Sequence, residues 1–213
     1  MSQTSRVFRD AIKNDRYIPF KKDGKTSSQQ GIEYVVALLA REIEKYHFLR
    51  ECLGPEVALV PIPRSAPLSN KDALWPTRRI CEALVAAGLG YEVAPLLIRR
   101  TAVQKASTAE VGKRPTPVNH YESTIIDNEV PTLVERNFTL VDDFVTRGSS
   151  FVGMFTRLSE AFPNRKISCF ALLRTVSDGD IVALKDPVQG RISYYPSGKL
   201  YCGWSANAQQ NLF

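Results

Sequence analysis

The chain has 213 residues, 44% hydrophobic and 23% charged, proportions of an ordinary globular protein that exclude a disordered or fibrous one. At this length folding buries about 70% of the extended chain's surface, so a core forms without disulfide or metal staples. Lys and Arg number 28 against 22 Asp and Glu, a net charge of +6, which suits an anionic small molecule or nucleic acid. Cys52, Cys81, Cys169 and Cys202 are widely spaced with no C-x-x-C. With only His47 and His120 beside them, a structural zinc site is not expected. Free thiols in a reducing cytoplasm are the simpler reading. No apolar signal-peptide core is present and no stretch reaches about 18 apolar residues, so neither secretion nor a membrane span is expected.

Residues 1–30 are polar and basic and read as an N-terminal arm or a poorly packed cap. From Gly31, the apolar residues Ile32, Val35, Val36, Leu39, Ile43 and Tyr46 recur three and four apart, predicting one amphipathic helix to about Leu49. Val57 to Val60 is a short apolar run between turn formers, as in a strand buried on both faces. A helix follows from Pro76 to about Gly88, then a second strand, Val93 to Ile98. Thr101 to Tyr121 lacks periodicity, and loops of that length are usually lids or disordered. Phe138 to Val141 is a third strand, Ser149 or Ser150 caps a helix to Phe162, and Ile167 to Leu173 is a fourth strand. Arg191 to Tyr195 and Lys199 to Cys202, around Pro196-Ser197-Gly198, form a hairpin. The pattern predicts an α/β domain over 31–175 with a central parallel sheet flanked by helices, and a hood built from 1–30 and 176–213.

The segment from Thr139 to Ser150 carries the chemistry. Asp142 and Asp143 end a buried strand and are followed by Thr146-Arg147-Gly148-Ser149-Ser150, a small hydroxyl-rich turn opening a helix. Such a turn offers N–H groups, hydroxyls and the positive helix end to a phosphate. The acids can accept hydrogen bonds from ribose hydroxyls and help hold a hydrated Mg2+. A 5-phosphorylated ribose satisfies both halves.

These residues resemble the fingerprint of the type I phosphoribosyltransferases (PRTases): a hydrophobic strand, two acids and a phosphate loop with glycine and Thr/Ser. The resemblance spans roughly Val57 to Arg174 and is strongest to ComF-like proteins and the transferase domain of glutamine amidophosphoribosyltransferases. Val60-Pro61-Ile62-Pro63 is similar to the start of their pyrophosphate loop. Arg100 to Gln104, Gly112-Lys113-Arg114 and Asn119 are similar to their flexible catalytic loop. The resemblance implies a type I PRTase-like fold and Mg-phosphoribosyl pyrophosphate (PRPP) as substrate, with transfer to a nitrogen nucleophile. It implies pyrophosphate contacts from Pro63, Arg64, Ser65 and Arg99 or Arg100. The flexible loop would contribute Gln104, Lys105, Lys113 and Arg114, with Lys105, Asp142 and Asp143 catalytic. Met1-Ser2 supplies no cysteine nucleophile, so ammonia delivery from glutamine is not expected within this chain.

Other readings stand beside this one. The same site could serve a nucleotide-sensing regulator or effector subunit of competence or defence type, in a homodimer or larger assembly, or a nucleotide-degrading hydrolase. His120 reads as a surface residue rather than a base. Tyr194, Tyr195, Tyr201 and Trp204 read as packing residues, with stacking on a base the alternative. The basic arm reads as a solvated face rather than a nucleic-acid surface, because no nucleic-acid motif accompanies it.

Overall fold

The computed structural model describes residues 3–22, 25–68, 73–104, 114–130, 136–174 and 187–204. Its centre is a sheet in the order β4–β3–β7–β8, built from Glu92–Val93 (β4), Val57–Pro61 (β3), Asn137–Val145 (β7) and Ile167–Arg174 (β8). All neighbours run parallel. Every residue of β3 is buried, which explains its unbroken apolar run: Val57 and Leu59 face one core, Ala58 and Val60 the other.

Gly31–Glu42 (α2), His47–Leu53 (α3) and Pro76–Ala86 (α4) bring Ile32, Val36, Leu53, Ile80 and Leu84 to the first face. Ser149–Ala161 (α6) brings Phe151, Met154 and Leu158, spaced three and four apart, to the second. Full burial of each such side chain contributes roughly 1.5–3 kcal/mol. Helices on both faces of a parallel sheet, with α6 as the crossover from β7 to β8, are the α/β architecture expected from the sequence.

Four local expectations change. The helix expected as one piece to Leu49 breaks at a 3-10 turn, Ile43–Lys45, and restarts after an extended Tyr46. The break returns Leu49 and Leu53 to the core. The strand expected over 93–98 also splits. Ala94 N–H still bonds the Leu59 carbonyl at 2.8 Å, but Pro95 has no N–H to continue the ladder. Leu97–Arg99 (β5) turns away to pair antiparallel with Thr124–Ile126 (β6). Within the expected loop lies a helix, Pro117–Glu122 (α5), started by a capping box between Thr116 and Asn119 with Pro117 in its first turn.

The N-terminal segment is more than an arm: Gln3–Asn14 (α1) leads into a hairpin of Tyr17–Lys22 (β1) and Lys25–Gln30 (β2), with Ala11, Ile12 and Ile18 buried. Gly190–Tyr194 (β9) and Leu200–Trp204 (β10) form the C-terminal hairpin. The two pieces approach the carboxyl end of β7, Lys13 Nζ lying 5.9 Å from the centre of the Phe144 ring and Ile192 covering Gly148. Among the described residues, no helix is long and apolar enough to cross a membrane.

Candidate functional site

Strand pairing brings the two informative segments together. Pro61 of β3 pairs with Val141 of β7, and Ile62 N–H bonds the Val141 carbonyl at 2.9 Å. The Pro63–Ser65 turn therefore leaves the sheet beside Asp142, at the carboxyl ends of neighbouring parallel strands, where such sheets form a ligand crevice.

The acids occupy different environments. Asp142 is 8% exposed; its Oδ1 accepts from the Asp143 N–H at 2.9 Å and its Oδ2 from the Ser150 hydroxyl at 3.0 Å. Burial pushes the Asp142 carboxyl well above the ordinary range, with the neighbouring Asp143 adding to the rise. Asp143 is half-buried. It is the more exposed acid of the pair.

Past Val145, Thr146 and Arg147 are exposed and Gly148 takes a left-handed backbone, φ 81°, as the residue before α6. A side chain here would be strained by that φ and would place its Cβ 2.5 Å from Ile192 Cδ1, so the position needs glycine twice over. Gly148 has no side chain to cap the helix. The first-turn N–H groups, with the half-buried Ser149 and Ser150, are thus offered to an outside acceptor at the positive end of a 13-residue helix.

The Pro63–Ser65 turn is arranged in the same sense. The Ile62 carbonyl accepts from Trp75 Nε1 at 2.9 Å and Thr77 Oγ1 at 2.6 Å. The Arg64 carbonyl accepts from Arg99 Nε at 2.9 Å, and the Ser65 carbonyl from Val103 N–H at 2.7 Å. Because a trans peptide points its N–H opposite its carbonyl, the N–H groups of Ser65 and Ala66 face away from these internal donors. Pro63 is buried and the Arg64 side chain exposed.

Arg99 and Arg100, alternatives in the sequence, separate cleanly. Arg100 is exposed, whereas Arg99 is 4% exposed and bonded internally. Gln104 and Arg114 are exposed; Lys105 and Lys113 lie outside the described residues. Val103 is bonded to the turn, and Thr116 caps α5.

His120, read as a surface residue, is half-buried, its Nδ1 3.4 Å from Arg99 Nη2. Burial and the Arg99 charge push the imidazole down to about 4, so it is neutral at physiological pH. Tyr194, Tyr195 and Tyr201 are 42%, 50% and 61% exposed, so these three leave much of their rings in solvent; the Trp204 side chain lies outside the described residues. All four cysteines are free thiols, and burial pushes Cys52 up to about 11. Among the described residues, no group of three His, Cys, Asp or Glu side chains is placed to hold a metal ion. The sequence held no sign of the anchors Trp75 and Thr77, which lie beyond a stretch without pattern, nor of Ile192 over Gly148.

No family model and no curated protein sequence matches this chain. Among solved structures, it is similar to adenine phosphoribosyltransferase from Saccharomyces cerevisiae complexed with adenine and an imino-altritol bisphosphate, at 14% identity over 80% of this chain and 89% of that one, with a TM-score of 0.33. A second adenine phosphoribosyltransferase gives 16% identity, 84% and 96% coverage and a TM-score of 0.32. A hypoxanthine phosphoribosyltransferase from Staphylococcus aureus gives 12%, 83% and 77%, and 0.33.

Proposed function

We propose that this chain binds PRPP with magnesium and transfers the phosphoribosyl group to a nitrogen nucleophile, releasing pyrophosphate. One observation carries the reading: an anion-ready helix start, the half-buried Asp143 carboxylate and a second anion-ready turn stand together at the ends of two paired parallel strands. Those three features match the 5-phosphate, the ribose hydroxyls and the 1-pyrophosphate in that order.

In this reading the N–H groups of Ser149 and Ser150 and the Ser149 hydroxyl, with Thr146, Arg147 and Gly148, hold the 5-phosphate, while the Ser150 hydroxyl stays on Asp142. Asp143 accepts from the ribose hydroxyls. Asp142 holds the Asp143 backbone and Ser150, giving the acid and the phosphate turn a common anchor. The Ser65 and Ala66 amides and Arg64 receive the pyrophosphate, with Arg100 and the Gln104–Arg114 stretch, including Lys105 and Lys113, closing over it. With Asp142 consumed internally, the Asp143 carboxylate and the substrate's own oxygens would suit a Mg2+ ion, which takes few protein ligands; bound there it would neutralise charge on the leaving group. The anomeric C–O bond breaks with its electron pair leaving on pyrophosphate, and the nitrogen lone pair forms the new C–N bond and gives up a proton. Asp143 stands near the cationic character that develops on the sugar.

The residue-level resemblance to ComF-like and amidophosphoribosyltransferase loops belongs to this reading, as does a cytoplasmic location suited to four free thiols. The test is pyrophosphate release from PRPP with purine bases, pyrimidine bases, ammonia and amines in turn. Release with one acceptor supports transfer; release in water alone makes the protein a hydrolase; tight binding without release makes it a sensor.

A further inference from the structure

One buried guanidinium ties the Pro63–Ser65 turn to β6 and α5. Arg99 Nε donates to the Arg64 carbonyl at 2.9 Å, while Nη1 donates to Ser123 Oγ at 2.5 Å and Thr124 Oγ1 at 2.8 Å. Nη1 also reaches the His120 carbonyl at 3.4 Å, and Nη2 lies 3.4 Å from His120 Nδ1. Each of these partners is neutral, and among the described residues no carboxylate pairs with Arg99. Burial pushes this guanidinium down to about 10.

A buried cation without an acid is expensive, and an apolar side chain of similar size would usually fill the interior at lower cost. Two features of the place account for it. The planar fork spans from the Arg64 peptide to β6, which a lysine ammonium cannot do. Its charge also stands directly behind a turn whose outward amides await an anion. Helix α5, which carries His120, meets α6 at Gly153, where a Cβ would lie 2.5 Å from the Pro117 carbonyl and 2.7 Å from His120 Cβ. Since α6 begins at the phosphate turn, the contacts run from Arg64 through Arg99 and α5 to the helix that starts at Ser149.

We propose that Arg99 is a positioning residue for the pyrophosphate end of the site, touching no ligand and acting through the Arg64 peptide, whose carbonyl it holds inward so that the following amides face the leaving group. The inference rests on the PRPP reading and deepens it. It makes Arg99 a determinant of the pyrophosphate contact and leaves the 5-phosphate contact to Gly148–Ser150.

The experiment is calorimetry in magnesium buffer with two probes, PRPP and ribose 5-phosphate, on wild type, Arg99→Met, Arg99→Lys and Thr124→Val, each checked for folding by thermal melting. Loss of a charge-assisted bond is read as a drop of about tenfold or more in PRPP affinity for Arg99→Met, with ribose 5-phosphate within about twofold of wild type. Arg99→Lys should fail to restore PRPP binding. Thr124→Val, isosteric and lacking one acceptor, should show a smaller loss in the same direction, about threefold, and decides the matter if Arg99→Met does not fold. Equal losses for both probes, or none in folded variants, would overturn this role while leaving the PRPP reading intact. A wild type that binds neither probe would overturn the PRPP reading, and this role with it.

Discussion

Ser150, in the first turn of α6, donates its hydroxyl to Asp142 Oδ2 at 3.0 Å, closing an eight-residue span between the acid-bearing strand and the helix of the phosphate turn. Asp142 thereby shapes the site from within, and Asp143, whose N–H it holds, is the more exposed acid of the two.

That division predicts unequal effects for two similar substitutions. Asp143→Asn should weaken PRPP binding by about 10- to 100-fold, the worth of one charge-assisted hydrogen bond, with little change in melting temperature. Asp142→Asn should act chiefly on stability. Burial raises the Asp142 carboxyl, so the folded state holds its proton more tightly than the unfolded state does. Stability is then lost as pH rises above the ordinary aspartate value, and the neutral amide removes that loss. Urea unfolding at pH 4, 6 and 8 should show Asp142→Asn gaining on wild type as pH rises. A constant difference would deny the burial penalty.

Gly148→Ala should destabilise the protein by about 1–2 kcal/mol from backbone strain alone, and further through the contact with Ile192. Ile192→Ala in the same chain relieves the contact and leaves the strain, so the double variant should recover part of the loss. Thermal melting of the two single variants and the double variant reads the coupling. Strict additivity would separate the hairpin from the turn.

His120 has the opposite acid dependence from Asp142. Its imidazole is pushed down to about 4, so between about 6.5 and 4 the unfolded state binds a proton that the folded state refuses. Stability attributable to His120 is complete above that window and falls with pH through it, by a few kcal/mol at most. His120→Asn, which keeps an acceptor for Arg99, should flatten unfolding curves between pH 6.5 and 4. An unchanged slope would place the titration elsewhere.

The sheet and the acid-bearing turn were legible in the sequence because their signals are contiguous. Val57–Val60 and Phe138–Val141 are largely apolar because they are buried on both faces, and Asp142 to Ser150 reads as strand end, turn and helix start within nine residues, although β7 runs on through both acids to Val145, paired with β8. Arg99 was legible as a basic residue near the pyrophosphate turn. Its burial was not, because it depends on Ser123 and Thr124, 24 and 25 residues away, and on a three-residue strand pair too short to show a period. The hairpin of β1 and β2 was hidden for a similar reason: Thr26 to Gln30 is polar throughout, and the buried Ala11, Ile12 and Ile18 are too sparse to mark a face.

The most direct test of the central claim is a calorimetric titration of wild type and Asp143→Asn with PRPP, in magnesium and in chelator. The account predicts magnesium-dependent binding by wild type and a loss of about tenfold or more in the variant. Absence of heat with wild type, or equal affinity in the two proteins, would contradict it.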